Sequence, residues 1–196
     1  MARISLSAAA IIAGAADLAD EAGFDGVTLS AVARRLGVQT PSLYSHVRDR
    51  AALLDGITAL ALAELSDRVA VAIAGRSGRL ALHGFAQAHR EFAQASPGRW
   101  QSLERRAGPA AVESGAARTF VALTDAVLLG YGLPPGEQVH ATRLIGATIN
   151  GFLTLERIGS FDHSQPGPED SWRRALDALD ALLLVWPTDS PDRIQP

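Results

Sequence analysis

The chain has 196 residues, 47% of them hydrophobic, with 18 basic and 21 acidic side chains and a formal net charge of −3. That apolar share excludes a disordered chain, and the length allows one domain or two small ones around a sizeable core. Cysteine is absent, which excludes disulfides and thiolate metal sites, and the net charge excludes a protein that coats nucleic acid everywhere, while leaving room for a local basic face.

Every basic residue is an arginine; lysine does not occur. With the heavy use of alanine, this suggests a GC-rich bacterial coding bias rather than a function. At the N-terminus, Arg3 and the apolar run from Ala8 to Ala16 have the outline of a signal peptide. Asp17, Asp20 and Glu21 follow at once, however, and the helical pattern runs through them. Ile11, Ala15, Leu18, Ala19 and Ala22 line one face, which predicts an amphipathic helix over 7–22, capped by Ser7 and ended at Gly23. No apolar stretch reaches the roughly 18 residues that span a membrane. Together with the missing cysteines, this fits a cytoplasmic protein. Phe24 and Val27 are the expected core anchors of the turn that follows.

Residues 28–47 read TLSAVARRLGVQTPSLYSHV. Thr28 suits an N-cap, and Leu29, Val32, Ala33 and Leu36 recur at helical spacing. Gly37 ends this helix by taking a left-handed conformation. Val38 plugs the turn, and Thr40-Pro41 starts a second short helix over 41–47, with Leu43 and Val47 inward. Helix, glycine turn and short helix make a helix-turn-helix. Arg34, Arg35, Arg48 and Arg50 concentrate positive charge here against Asp49 alone. Short polar groups on a recognition helix can read base edges, which Thr40, Ser42 and Ser45 supply, while Pro41 offers apolar contact. Tyr44 and His46 are placed as backbone clamps, with packing against the first helix as the alternative for Tyr44.

The run T-x-x-x-V-A-x-x-L-G-V-x-x-P-S-L-Y-x-H-V, followed by R-D-R-A-A-L-L-D, resembles the tetracycline-repressor (TetR) family of bacterial transcriptional regulators. The likeness is close over 7–57 and includes the Ala-Gly-Phe-Asp-Gly turn at 22–26. Residues 79–186 more loosely resemble the WHG-type ligand-binding domain of some members, through His89-Arg90, Ser96-Pro97-Gly98 and the run Asn150 to Glu156. The resemblance implies base-facing roles for Ser30, Thr40, Pro41 and Ser42, and phosphate contacts for Thr28, Tyr44, His46 and Arg50. Arg34, Gln39 and Arg48 complete the expected DNA-binding set. Ser30 stands where relatives can carry a guanine-reading Arg, and the recognition helix has no Arg, Asn or Gln after Gln39. This predicts reliance on thymine methyls, DNA shape and phosphates.

Leu53, Leu54, Ile57, Leu60, Ala61, Leu65 and Val69 predict a long helix over 49–74, with Asp49 near its start. Further helices are expected over 79–95, 99–106, 112–131, 137–158 and 169–186, about nine in all, separated by Gly- and Pro-rich breaks. The expected fold is all-α: a three-helix head at 1–48, a helical ligand-binding and dimerisation domain at 49–186 and a flexible tail at 187–196. Ala147, Gly151 and Leu155, with Trp172, Leu176, Leu179 and Leu183, are the expected homodimer interface. Their apolar stripe could equally be core of one chain. His83, Phe85, His89, Phe92, Trp100, Phe120, Tyr131, Asn150, Phe152 and Glu156 are the candidate lining of a pocket for a small-molecule effector; aromatic residues at helical spacing are also what plain core looks like.

No enzyme constellation emerges. His46, His83, His89, His140 and His163 form no HExxH helix, and there is no GxSxG elbow, P-loop or GxGxxG. Asp162-His163-Ser164 are adjacent and cannot make a spatial relay. No cofactor or metal site is expected. The expectation is a dimeric, ligand-responsive regulator, most simply a repressor, on a palindromic double-stranded DNA operator. Its rivals are a DNA-binding protein without an effector and a helical enzyme using the body pocket.

Overall fold

Ser7 accepts a hydrogen bond from the Ala10 backbone N–H at 3.2 Å and so starts α1, Ala8–Ala22. The computed structural model describes residues 6–187, so the expected tail lies, from residue 188 onward, outside the described residues. A single 3₁₀ turn, Phe24–Gly26, leads into α2, Leu29–Leu36, whose N-cap Thr28 accepts from the Ala31 N–H at 3.2 Å. Gly37 ends α2 at φ 68°, a conformation that a Cβ would strain.

The second helix of the motif is shorter than its sequence predicts. α3 is Thr40–Leu43 only, with Gln39 at the N-cap position and making no side-chain cap, so that Thr40 is the first helical residue rather than the cap. Residues 44–46 continue as a tight turn in which the His46 N–H bonds to the Leu43 carbonyl at 2.9 Å. Bonds of this i→i−3 kind tighten a helix end. The long helix α4, Arg50–Ile73, begins at once, and the Asp49 carboxylate caps it by accepting from the Ala52 N–H at 2.8 Å.

After α4 come α5, Gly78–Ala95, and α6, Pro97–Leu103. The helix expected over 112–131 is two helices, α7 at Pro109–Val112 and α8 at Gly115–Leu129. Pro109 sits in the first turn of α7, where its missing N–H costs nothing, and the Ser114 hydroxyl accepts from the Ala117 N–H at 3.1 Å, recapping the chain. α9, Gln138–Arg157, and α10, Pro168–Leu184, complete the all-α architecture.

The chain divides into two compact units. One contains the chain up to Val71 with Ala88–Leu123; the other contains Ala72–Gln87 with everything from Thr124. Within the first unit the core of the head is Ile11, Ala15, Ala16 and Ala19 of α1, Phe24 and Val27, Val32 and Ala33, Leu43 and Val47. Leu53, Leu54 and Ile57 of α4 close it. At about 1.5–3 kcal/mol per fully buried large apolar side chain, these three supply much of what a 48-residue head lacks.

α6 also packs on α1. Gly98 is buried, and a Cβ there would overlap the Ala19 carbonyl, so the two backbones touch. In the second unit α9 packs on α10. Ala141, Ile145, Ile149 and Leu153 form the buried face of α9, and Trp172, Leu176, Leu179 and Leu183 that of α10. The α10 stripe, expected as dimer interface, is therefore core of a single chain.

Candidate nucleic-acid interface

The buried faces of α2 and α3 fix which side chains face outward. Val32, Ala33 and Leu43 point into the core, which leaves Thr28, Ser30, Arg34, Gln39, Pro41, Ser42, Tyr44, Ser45, His46, Arg48 and Arg50 exposed. Thr40 is half-buried. Tyr44 is 55% exposed, against the alternative that it packs on α1. The Thr28 hydroxyl also lies 3.2 Å from Ser30 Oγ, so one side chain both caps α2 and holds its neighbour on the outer face.

The arginines differ in what they already hold. Arg35 makes a two-pronged ion pair with Glu21 of α1, at 2.6 and 2.8 Å, and is thereby spent on helix packing. Glu21 is held below the usual carboxylate range by that hydrogen bond, and Arg35 is raised by it. Arg48 pairs with Asp49 at 2.8 Å. Asp49 is lowered first by the Ala52 N–H and then by Arg48. Arg50 donates through Nε to the Val27 carbonyl at 2.8 Å and through Nη2 to the Asp25 carbonyl at 3.4 Å. It thus ties the start of α4 to the turn before α2. That tie was not visible in the sequence, where Arg50 read as a free phosphate contact.

Behind the motif, α6 holds α1. Arg99 pairs with Asp17 at 2.8 Å, with Asp20, and with Glu64 of α4 at 3.2 Å. Burial pulls the Arg99 pKa down, and its three carboxylates more than reverse this. Asp20 also accepts from the Arg99 backbone N–H, and Gln101 accepts from the Phe24 N–H at 3.0 Å. Trp100 lies between these two anchors. It is buried edge-on against His89, with ring centres 6.0 Å apart, and His89 meets Phe120 at 5.6 Å. The Trp100 indole N–H is buried and has no hydrogen-bond partner among the described residues.

The ten expected effector-lining residues are shared between the two compact units. His89, Phe92, Trp100 and Phe120 belong to the first unit, and His83, Phe85, Tyr131, Asn150, Phe152 and Glu156 to the second. In the second unit Phe152 packs on Phe161 and Trp172, Tyr131 donates to Asp180 at 2.7 Å, and His83 Nε2 lies 3.2 Å from Asp177. Asn150 is exposed and Glu156 half-buried.

A pocket of about 400 Å³ opens elsewhere, in the first unit, lined by Arg48, Arg50, Asp55, Thr58, Arg105 and Arg106 among others. None of the ten expected residues lines it. Arg105 and Arg106 lie outside the motif, and their signal in the sequence is an arginine doublet just before the Gly108-Pro109 break. Among the described residues there is no group of three or more His, Asp and Glu able to hold a metal ion, and no helix is long and apolar enough to cross a membrane.

Comparison with known proteins agrees with the motif. Residues 11–57 match the profile described as bacterial regulatory proteins, tetR family, and residues 82–179 the tetracyclin repressor-like C-terminal domain. The chain is 31% identical over 179 residues to the class A tetracycline repressor protein from transposon 1721 of Escherichia coli, covering 87% of this chain and 79% of that one. It is 28% identical over 164 residues to the uncharacterized HTH-type transcriptional regulator YobS of Bacillus subtilis, covering 83% and 85%. A solved TetR variant from Acinetobacter baumannii AYE, in complex with minocycline, superposes with a TM-score of 0.70 at 26% identity, over 94% of this chain and all of the other.

Proposed function

Because the chain belongs to the TetR family of DNA-binding transcriptional regulators, we propose that it is a homodimeric repressor released from a palindromic operator by a small molecule. Two heads related by a two-fold axis would enter major grooves about 34–36 Å apart or further. Ser30, Gln39, Thr40, Pro41 and Ser42 meet base edges; Thr28, Arg34, Tyr44, His46, Arg48 and Arg50 meet phosphates. The head proposed to do this is residues 1–48, with effector binding and dimerisation in 49–186.

The observation that carries the ligand-released part is the construction of α6. Trp100 is held in the aromatic cluster, while its two chain neighbours grip α1 and the turn before α2. A ligand that displaces Trp100, and offers an acceptor to its unpartnered N–H, would move Arg99 and Gln101 with it. Only a difference in affinity between two states can drive release; a hundredfold preference for the non-binding form supplies about 2.7 kcal/mol. The related TetR variant bound to minocycline supports a ligand of this kind.

The proposed dimer interface uses the outer faces of α9 and α10. Ala147, Gly151, Leu155 and Ile158 are exposed at spacings of 4, 4 and 3, and Leu182 of α10 and Val185 at its C-cap are exposed too. A Cβ built at Gly146 or Gly151 meets nothing within 4 Å among the described residues, which leaves room for a partner helix. A four-helix arrangement across the two-fold axis follows.

The deciding experiment is binding to the DNA upstream of the protein's own reading frame, titrated with salt beside a scrambled duplex. Specific binding with a steep salt slope is expected. Equal affinity for the two duplexes would count against autoregulation through that site.

A further inference from the structure

The pocket beside the motif has an unusual charge balance. Its lining carries Arg48, Arg50, Arg105 and Arg106 against Asp55 alone. Arg48 and Arg50 come from the entry to α4 and the other two from the segment between α6 and α7, so four arginines from chain segments about 50 residues apart line one pocket. Arg50, Arg105 and Arg106 form no ion pair among the described residues. Arg105 is steered by the Phe24 ring, with its Cζ 5.1 Å from the ring centre, and Arg50 by two backbone carbonyls. Thr58, buried at the wall, donates to the Leu54 carbonyl at 3.1 Å. Arg50 and Arg105, held by carbonyls and a ring rather than by carboxylates, keep their charge available to a ligand, while Arg48 shares its own with Asp49.

We infer that this pocket binds a compact multivalent phosphate anion, and that its occupancy competes with DNA. The shape favours a small ligand over backbone phosphates. Planar guanidinium forks around one concavity suit several oxygens of one polyanion, which matches a volume of about 400 Å³ better than a convex duplex edge. Competition rests on the reading of Arg48 and Arg50 as phosphate contacts: an anion that engages them removes both from the DNA-facing row. Arg50 moving toward the anion would also loosen the Val27 and Asp25 carbonyls that position α2. This site is separate from the aromatic cluster around Trp100 and would respond to a different chemical signal.

The test uses the full chain and inorganic pyrophosphate, at ionic strength held constant with sodium chloride. Calorimetric titration of wild type is compared with R105Q/R106Q and with R106Q alone, which leaves Arg105 on Phe24. Saturable binding is expected in wild type, with affinity falling about tenfold or more in the double variant, as lost charge-assisted hydrogen bonds imply. Matching melting temperatures guard against unfolding. No saturable binding at millimolar pyrophosphate, or equal binding in all three proteins, overturns the site. In a second arm, pyrophosphate displaces a labelled upstream duplex from wild type but not from the double variant. If the double variant binds that duplex much more weakly without pyrophosphate, the two arginines are DNA contacts and the inference fails. If pyrophosphate binds but displaces nothing, the competition is overturned. A chain that binds no duplex at all would defeat the regulator reading instead, and the calorimetry would still decide the pocket.

Discussion

At Arg50 a single side chain bonds two carbonyls of the turn before α2 and stands in the row proposed to meet phosphate. Tyr44 stands in the same row, 55% exposed and free of that structural tie. Their substitutions should therefore differ. Tyr44→Phe removes one hydroxyl and is expected to weaken operator binding roughly fivefold, the value of one hydrogen bond, with an unchanged melting temperature. Arg50→Ala should weaken binding more and also lower the melting temperature. Anisotropy at matched salt beside thermal melts checks both, and an unaltered melt for Arg50→Ala would mean that the tie is dispensable. Tyr131 allows a sharper titration. Burial, and then its hydrogen bond to Asp180, raise its pKa above the ordinary value of about 10. The unfolded chain loses this proton first as pH rises. The stability is therefore complete below pH ~10 and declines above it, by at most about 1.4 kcal/mol per pH unit. Lysine and cysteine are absent and the chain has two tyrosines, so few other groups ionise there. In a Tyr44→Phe background, Tyr131→Phe should flatten the alkaline fall in unfolding free energy measured by urea melts. An equally steep fall would assign it elsewhere.

The elements show where sequence periodicity is informative and where it stops. Gly37, Thr28 and Ser7 were legible because caps and left-handed turns have local causes that need no partner. Sequence spacing overextends α3 because Leu43 and Val47 are both buried whether or not the residues between them are helical. The break between α7 and α8 was missed for a similar reason: a serine that recaps a chain looks, in sequence, like a serine within a helix. α10 displayed its apolar stripe plainly, but a stripe does not name its partner, and α9 of the same chain takes it. At the interface the outward residues followed from the inward ones. Arg105 and Arg106 could not, since only folding brings them to the start of α4. The seam between α6 and α1 yields its own test. Gly98→Ala places a methyl group against the Ala19 carbonyl and should cost about 1–3 kcal/mol in urea melts, the usual range for overpacking. A neutral result would mean that the two helices separate easily.

For the whole molecule, assembly and folding are separable by substitution. Leu179 is 4% exposed within one chain, so Leu179→Asp strands a charge in the core and should unfold the protein, at a cost of several kcal/mol. Leu182 lies on the outer face of α10 at 39% exposure. Leu182→Glu, paired with Leu155→Glu on α9, should give a folded monomer by sedimentation with an intact circular dichroism spectrum. A persisting dimer would move the interface off these helices. The joint of α6 with α1 bears on a different matter, the portability of the head. Reading domains are natural candidates for transplantation between regulators, with the cut made where the motif ends. A graft cut at residue 48 would carry Asp17 and Asp20 away from Arg99, and Phe24 away from Gln101. It would also uncover the Ala19 backbone against which Gly98 rests. A working chimera of this protein must therefore take residues 97–106 along as a second insert, although they lie about 50 residues downstream of the cut.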